Sequence, residues 1–386
     1  MSHSGLRIVD LQIEDVAFGG KGVAREQSKA VFIPFTIDGE LVSAKITREK
    51  KQFAEAEVVD LRKSSPHRVE PTCPYFGRCG GCAYQHIDYA HQLEIKSRQV
   101  RDVLQRIGKL KDLPLRPIIP SPLPYGYRNR ITVHAEAGVI GYFRRDSHRL
   151  IDIERCPIAM DEVNRELTEL RSHPVRDGHY TLRAKVDRPL RGRSKARSEN
   201  TRHHFCQTND AVAAALRDLI VEMIPANRDL LIDAYCGAGF FAKALLDKFE
   251  HVVGIDWDRF AIAAAKETAG PKENYIAGDV EQELRRVNLN AISIRVPKGD
   301  TGRATRTALI VDPPATGLAV RIREAIVDLA PATLIYVSCN PATLARDLKD
   351  LSTRFKLESV TPLDMFPQTS EIEVVAHLQQ FNDSTI

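Results

Sequence analysis

The sequence predicts an α/β protein: a doubly wound, Rossmann-like domain on the C-terminal side, preceded by a small β-barrel and a central α+β segment. Three observations predict it. After Pro225, apolar strands alternate with helical patterns in DLLIDAYCGAGFFAKALL, HVVGIDWDRFAIAAAKETA, ENYIAGDVEQEL, TALIVDPPATGLAV and ATLIYVSCNPATLARDL, the signature of a parallel sheet wrapped by helices. Residues 6 to 62 instead break into short runs such as Val31-Phe32-Ile33 and Glu55-Ala56-Glu57-Val58-Val59, punctuated by Gly19-Gly20-Lys21-Gly22 and Asp38-Gly39. Finally, 386 residues exceed one ordinary core, so two or three domains are expected.

Composition sets further bounds. Apolar content of 43% and charged content of 27% fit a soluble globular chain. No window approaches the ~18 uninterrupted apolar residues of a membrane span, and the start lacks a signal-peptide apolar region. A cytoplasmic protein with no membrane partner is the expectation. There the seven cysteines stay out of disulfides, and a cluster of them reads as metal-binding or catalytic. Net charge is only +4, yet Arg183 to Arg202 holds eight Arg and Lys against Asp187 and Glu199.

The N-terminal strands fit a barrel of the OB type, a fold that often binds oligonucleotides; a small β-domain without a ligand is the alternative. Ser64-Ser65-Pro66-His67 reads as a linker. Cys73, Cys79 and Cys82 follow in C-x5-C-x2-C spacing, with a distant Cys156. Three thiols together and one apart suit an iron–sulfur cluster. Zinc competes, but its structural sites usually pair cysteines at C-x2-4-C. Gly77, Gly80 and Gly81 would let the backbone fold tightly and bring amides toward sulfur. HQLEIKSRQVRDVLQRIG predicts a surface helix with Leu93, Val100, Leu104 and Ile107 on its packed face. Between Gly126 and Cys156, Arg128, Arg130, Arg144 and Arg145 stand among Tyr127, Tyr142 and Phe143, a set that holds phosphates and stacks bases or simply fills a core.

In the C-terminal domain, Gly237-Ala238-Gly239 follows the strand ending at Asp233, and Asp256 ends the next strand, where it can accept ribose hydroxyls. This fits a nicotinamide dinucleotide or S-adenosylmethionine. Asp279 and Asp312-Pro313-Pro314 add third and fourth strand ends, an order that favours an adenosylmethionine domain. The run Ala332 to Val337 then delivers Cys339 to the sheet edge, with Pro341 opening a helix, Asn340 as its N-cap, and Leu344 and Leu348 facing in. A helix N-terminus lowers a thiol's pKa, so Cys339 reads as a nucleophile; a buried structural cysteine is the alternative. A thiol beside a methyl donor suits carbon methylation of a pyrimidine. Carbon 5 becomes nucleophilic once a thiolate adds to carbon 6, and a base must then remove the carbon 5 proton. Glu371 and Glu373 stand just before the last apolar run.

SCNPATLARD, DMFPQT followed by Glu373, DAYCGAG and C-x5-C-x2-C with a distant Cys-Pro together resemble the RNA 5-methyluridine (uracil-5-) methyltransferase family, in its iron–sulfur branch that modifies 23S ribosomal RNA. The similarity covers essentially the whole chain. VFIPFTIDGELVSAKI resembles the TRAM domain that many members carry, and YRNR with SHRLIDIERC their central RNA-recognition domain.

The resemblance implies a TRAM-like barrel over residues 1–63, a central RNA-recognition domain with the cluster over 64–204, and the methyltransferase domain over 205–386. It implies Cys339 as nucleophile and Glu373, before Glu371, as base. Gln207, Tyr235, Gly237, Gly239, Asp256, Asp279 and Asp312 would surround S-adenosylmethionine and the target base, and Cys73, Cys79, Cys82 and Cys156 would hold a 4Fe–4S cluster. Cys206 and Cys236 match no role. Two departures stand out: Ala315 follows Asp-Pro-Pro where the family usually has Arg, and Phe240 replaces a polar residue. The expected function is methylation of a uridine in RNA, 23S rRNA first, by a monomer. The same chemistry on tRNA or cytosine, a non-catalytic RNA-binding assembly factor, and a nicotinamide oxidoreductase are the competing expectations.

Overall fold

The structure is a computed structural model that describes residues 7–184, 207–226, 228–288 and 307–381. The basic stretch beyond Ala184 and Cys206 lie outside the described residues.

β1 (Ile8–Val16), β2 (Lys21–Glu26), β3 (Lys29–Pro34), β4 (Leu41–Glu49) and β5 (Phe53–Lys63) close into a barrel in the order β1-β2-β3-β5-β4. Alternation does the work: Leu11 and Ile13, Val31 and Ile33, Val42 and Ala44 all point inward and form one buried core. The barrel expected from the sequence is present.

α1 (Tyr89–Arg106) starts at Asp88, whose side chain accepts from His91 N. The structure corrects its expected packing. Val100 and Leu104 are buried, but Leu93 is only half-buried and Ile107 is 46% exposed, and the rest of the buried surface consists of Ile95, Val103 and the polar His91, Gln92, Lys96 and Gln99. The helix is enclosed on several sides, so polar groups are buried along with apolar ones. Val100, Val103 and Leu104 join the core of the C-terminal domain, whereas Ile95 packs in a separate cluster with Val16 and Ile37, and the chain after the helix adds parallel bridges from Leu115 to Val360 and from Ile119 to Leu363. This stretch therefore packs with the C-terminal domain although it precedes the central sheet.

That sheet comprises β6 (Arg130–Glu136), β7 (Val139–Phe143), β8 (Leu150–Asp152) and β9 (Gly178–Arg183) in the order β8-β7-β6-β9, with α2 (Asp161–Arg171) placing Val163 and Leu167 on its core. Tyr127 is buried, so it serves the core rather than an open face.

The C-terminal domain runs α3 (Asp210–Met223), β10 (Arg228–Ala234), α4 (Phe240–Ala244), β11 (Phe249–Asp256), α5 (Arg259–Glu267), β12 (Glu273–Ala277), α6 (Val280–Asn288), β13 (Thr307–Val311), α7 (Val320–Leu329), β14 (Thr333–Ser338), α8 (Pro341–Leu351), β15 (Phe355–Leu363) and β16 (Glu373–Gln380). Its seven-stranded sheet has the order β12-β11-β10-β13-β14-β16-β15. β10 to β14 are mutually parallel where they pair, and β16 is inserted antiparallel between β14 and β15. The central strands are apolar on both faces because both are covered: Leu309, Val311, Leu334 and Tyr336 face one core, and Ile310, Ile335 and Val337 the other. Sequence order reverses between β10 and β13, which opens a crevice at the carboxyl ends of the strands. Among the described residues no helix is long and apolar enough to cross a membrane.

Candidate active site and cysteine cavity

β10 runs into Tyr235-Cys236-Gly237-Ala238-Gly239, where Tyr235 (φ 65°), Gly237 (φ 54°) and Gly239 (φ 86°) take left-handed backbone. A Cβ on Gly239 would lie 2.6 Å from Tyr275 Oη, so that glycine is needed for packing. One on Gly237 would meet open space, so there the backbone is bare toward the crevice. A cavity of about 490 Å³ adjoins the turn, lined by Gln207, Tyr235, Gly237, Gly239, Phe240 and Asp312 among others. The open face of Gly237 and the half-buried Tyr235 and Asp312 beside it fit a nucleoside-bearing cofactor.

Asp256 and Asp279 do not line that cavity. Asp256 accepts from Gly237 N and Asp258 N, both at 2.8 Å, and so fixes the turn. Asp279 accepts from Gln282 N at 3.0 Å at the head of α6. Backbone amides therefore engage both carboxylates expected to face a ligand. Asp233 is wholly buried and accepts from Ala242 N at 2.9 Å, while its other oxygen has no partner; burial pushes its carboxyl up to about 8.

The nucleophile candidate and the base candidate meet at the next edge of the sheet. Ser338 pairs with Val374 in the antiparallel register of β14 and β16, which sets Cys339 beside Glu373. Asn340 caps α8 by accepting from Ala342 N at 3.0 Å, and Leu344 and Leu348 are buried, as the sequence leads one to expect. The expected depression of the thiol does not occur. Burial first, then the carboxylates of Glu373 and Asp312, push Cys339 up to about 11, which outweighs the helix end. Glu373 is buried and its Oε1 has no partner; burial, then Asp312 and Glu371, hold its carboxyl well above the usual range. Burial and Asp256 push Asp312 up to about 7. Glu371 is exposed, so Glu373 is the carboxyl that faces inward. Ala315 is exposed too, and its carbonyl accepts from Asn340 Nδ2 and Thr343 Oγ1 at 3.1 and 3.2 Å.

Cys73, Cys79, Cys82 and Cys156 line a second cavity, of about 380 Å³. Gly81 N points to Cys79 Sγ at 3.5 Å, and Arg145 Nη2 donates to Cys82 O at 2.9 Å. Burial pushes Cys82 up to about 12, and the other three cysteines add to the shift. Among the described residues no three His, Cys, Asp or Glu are grouped to hold a metal ion. Four thiols that line one space are a donor set of the kind thiolate-ligated metal centres use. Cys236 is buried beside the cofactor turn and donates to Gly237 O, in keeping with its lack of an expected role.

Sequence reasoning missed a third group. Wholly buried Lys96 pairs with wholly buried Asp364 at 2.6 Å, and Gln92 bonds to Gln368. The available signal was the spacing of Gln92, Lys96 and Gln99, polar residues in step with the apolar face of α1.

A family model described as tRNA (uracil-5-)-methyltransferase matches residues 183–381, which is more than half of the chain, and a TRAM domain model matches residues 7–59. The chain belongs to the tRNA (uracil-5-)-methyltransferase family. It is thus an RNA methyltransferase, with the barrel as its TRAM domain. An uncharacterized RNA methyltransferase of Halalkalibacterium halodurans is 30% identical, covering 97% of each chain. One from Aquifex aeolicus is 30% identical over 96% of this chain and 98% of its own. The crystal structure of Pyrococcus abyssi tRNA (uracil-54, C5)-methyltransferase with S-adenosyl-L-homocysteine shares the fold of this methyltransferase, with a TM-score of 0.68 at 23% identity, covering 96% of this chain and all of the other.

Proposed function

We propose that this methyltransferase uses S-adenosylmethionine to methylate carbon 5 of a uridine in RNA, with Cys339 as nucleophile and Glu373 as base. The single observation that carries the reading is the juxtaposition of the Cys339 thiol and the buried Glu373, whose Oε1 has no partner, at the carboxyl ends of the strands, with Asp312 of the glycine-turn cavity among the charges that act on both. Gln207, Tyr235, Gly237, Gly239 and Asp312 would line the cofactor site directly, while Asp256 and Asp279 would shape it through the backbone they hold. When bound, S-adenosylmethionine supplies an electrophilic methyl group. Cys339 loses its proton to solvent water, and its thiolate adds to carbon 6 of the uracil; the 5,6 double-bond electrons move onto the carbon 4 carbonyl, which leaves an enolate nucleophilic at carbon 5. After methyl transfer, Glu373 takes the carbon 5 proton. The electrons of that C–H bond form the 5,6 double bond, the carbon 6–sulfur bond breaks, and Cys339 leaves as thiolate.

Cys73, Cys79, Cys82 and Cys156 would hold a 4Fe–4S cluster, supported by the shared cavity and by the donor set. Nothing in the methyl transfer requires an electron, so we assign it a structural role. The resemblance of the cysteine set to the family's iron–sulfur branch points to 23S rRNA as substrate, and we take the enzyme to act as a cytoplasmic monomer. The test is nucleoside mass spectrometry of ribosomal and transfer RNA after incubation with enzyme and S-adenosylmethionine. 5-Methyluridine in 23S rRNA is expected; its appearance in tRNA alone would reassign the substrate, and its absence from both would refute the reading.

A further inference from the structure

The loop that delivers Glu373 to the sheet edge is gripped by groups from a distant part of the chain. Lys96 Nζ donates to Asp364 Oδ1 at 2.6 Å and to Phe366 O at 3.0 Å. Gln92 and Gln368 form a reciprocal amide pair, Gln92 Nε2 to Gln368 Oε1 at 3.0 Å and Gln368 N to Gln92 Oε1 at 3.1 Å. Ala83 N and Tyr84 N both donate to Gln368 O at 3.0 Å, and Tyr127 Oη donates to Pro367 O at 3.0 Å. Gln368 holds φ 68°, a left-handed conformation that an L side chain keeps only when its surroundings impose it.

Stability alone is a poor account of this set. Lys96 and Asp364 are both 0% exposed. Removing two charges from water offsets much of their attraction, and a well-packed apolar pair fills such a space at least as favourably. What the ion pair and amide pair add is a fixed geometry, because each donor accepts only a narrow set of positions for its partner. The element they fix ends at Glu373, the first residue of β16. Cys339 is held differently, by the Ser338 and Asn340 hydrogen bonds at the head of α8, which involve neither Lys96 nor Gln92.

We propose that Lys96 and Gln92 are positioning residues for the base: through Asp364, Phe366 and Gln368 they set Glu373 for removal of the carbon 5 proton, while leaving addition by Cys339 and methyl transfer largely untouched. The proposal rests on the reading of Glu373 as base. A residue that merely supports the fold would lower every step together. A positioning residue for the base separates adduct formation from adduct breakdown, because the covalent enzyme–RNA species forms before the base acts and persists until it does.

The test uses the full-length enzyme and total RNA from cells lacking it, labelled with 5-tritiated uridine. Lys96→Met and Gln92→Met are compared with wild type and Glu373→Gln in single turnovers. Covalent adduct is read on denaturing gels, and proton removal as tritium release. We expect both variants to form adduct at a rate within about threefold of wild type and to release tritium at least about tenfold more slowly, so that adduct accumulates. If Lys96→Met does not fold, Gln92→Met, which removes no charge, answers the same question. Tritium release at the wild-type rate, or equal losses in adduct formation and release by a variant that still binds S-adenosylmethionine, would overturn the proposal. If Glu373→Gln traps no adduct while wild type methylates, the base assignment fails instead, and the two failures are thereby distinguished.

Discussion

Among the described residues, half-buried thiols stand at two places in this methyltransferase, and their surroundings differ in charge. Around the cysteine cavity the neighbours of Cys73, Cys79, Cys82 and Cys156 include each other, backbone amides, the Gln85 and Tyr142 side chains and the Arg145 guanidinium, with no carboxyl among the described groups that act on them. At the sheet edge Cys339 stands alone among the carboxyls of Glu373, Asp312 and Glu371. Burial raises the thiol pKa in both places. Four thiols can lose their protons together only if a cationic metal centre replaces them, so on the proposed reading the first arrangement suits permanent ligation. A single thiol among carboxyls holds its proton until a substrate carbon takes its place, which suits a transient bond. On the proposed reading, the same residue type is directed to opposite lifetimes by its neighbours.

The largest effect that would sharpen this contrast comes from Cys339→Ala. Methylation should fall by about four orders of magnitude or more, with no covalent adduct on denaturing gels and RNA binding retained in a filter assay. Next comes Glu373→Gln: turnover should drop roughly 10²–10⁴-fold while adduct accumulates, as read in a methyl-incorporation time course. Normal turnover in this variant would end the assignment of the base. Cys82→Ser acts at the other site. It should cost bound iron and lower the thermal midpoint, whereas Cys339→Ala leaves both unchanged; metal analysis and calorimetry compare them. Colourless, zinc-bearing wild-type protein from anaerobic purification would break the comparison altogether.

A smaller effect concerns pH. With Cys339 pushed up to about 11, the thiolate fraction grows about tenfold per pH unit below that point, and adduct formation in single turnovers should rise with it. Glu373→Gln removes one of the charges that raise the thiol, so the profile of that variant should move to lower pH. The last effect concerns stability and leaves the comparison of the two thiol sites untouched. An unfolded Asp ionises near 3.9, whereas Asp233 in the fold keeps its proton up to about 8. The folded state therefore binds more protons between these values, and stability falls as pH rises from about 4 to about 8. Asp233→Asn, which can still accept from Ala242 N, should flatten that fall in denaturant titrations.

Much of the architecture was legible because local pattern and burial agree. Glu55-Ala56-Glu57 alternates, and Ala56 lies in the barrel interior; Leu334 to Val337 is apolar without alternation, and β14 is covered on both faces. The edge position of Cys339 followed from a strand that stops at Ser-Cys-Asn-Pro. Electrostatics was less legible. The helix end beside Cys339 can be read from Asn340-Pro341, but the carboxyls that outweigh it arrive from β13 and β16, remote in sequence. Asp256 was expected at a ligand because it ends a strand; nothing local shows that Gly237 N and Asp258 N engage it. α1 misled for a similar reason. Helical periodicity identifies one apolar face, whereas Gln92, Lys96 and Gln99 are buried against partners in the barrel and in the loop before Glu373, supplied by chain far away.

The central claim is that Cys339 forms a transient bond to a uracil and that Glu373 ends it. It is tested most directly by isolating the adduct that Glu373→Gln forms with RNA and S-adenosylmethionine, digesting it, and sequencing the cross-linked peptide by mass spectrometry. The account predicts a 5-methylated dihydrouridine attached through carbon 6 to the sulfur of Cys339. Attachment to another cysteine, or no adduct from an enzyme that methylates as wild type, would contradict it.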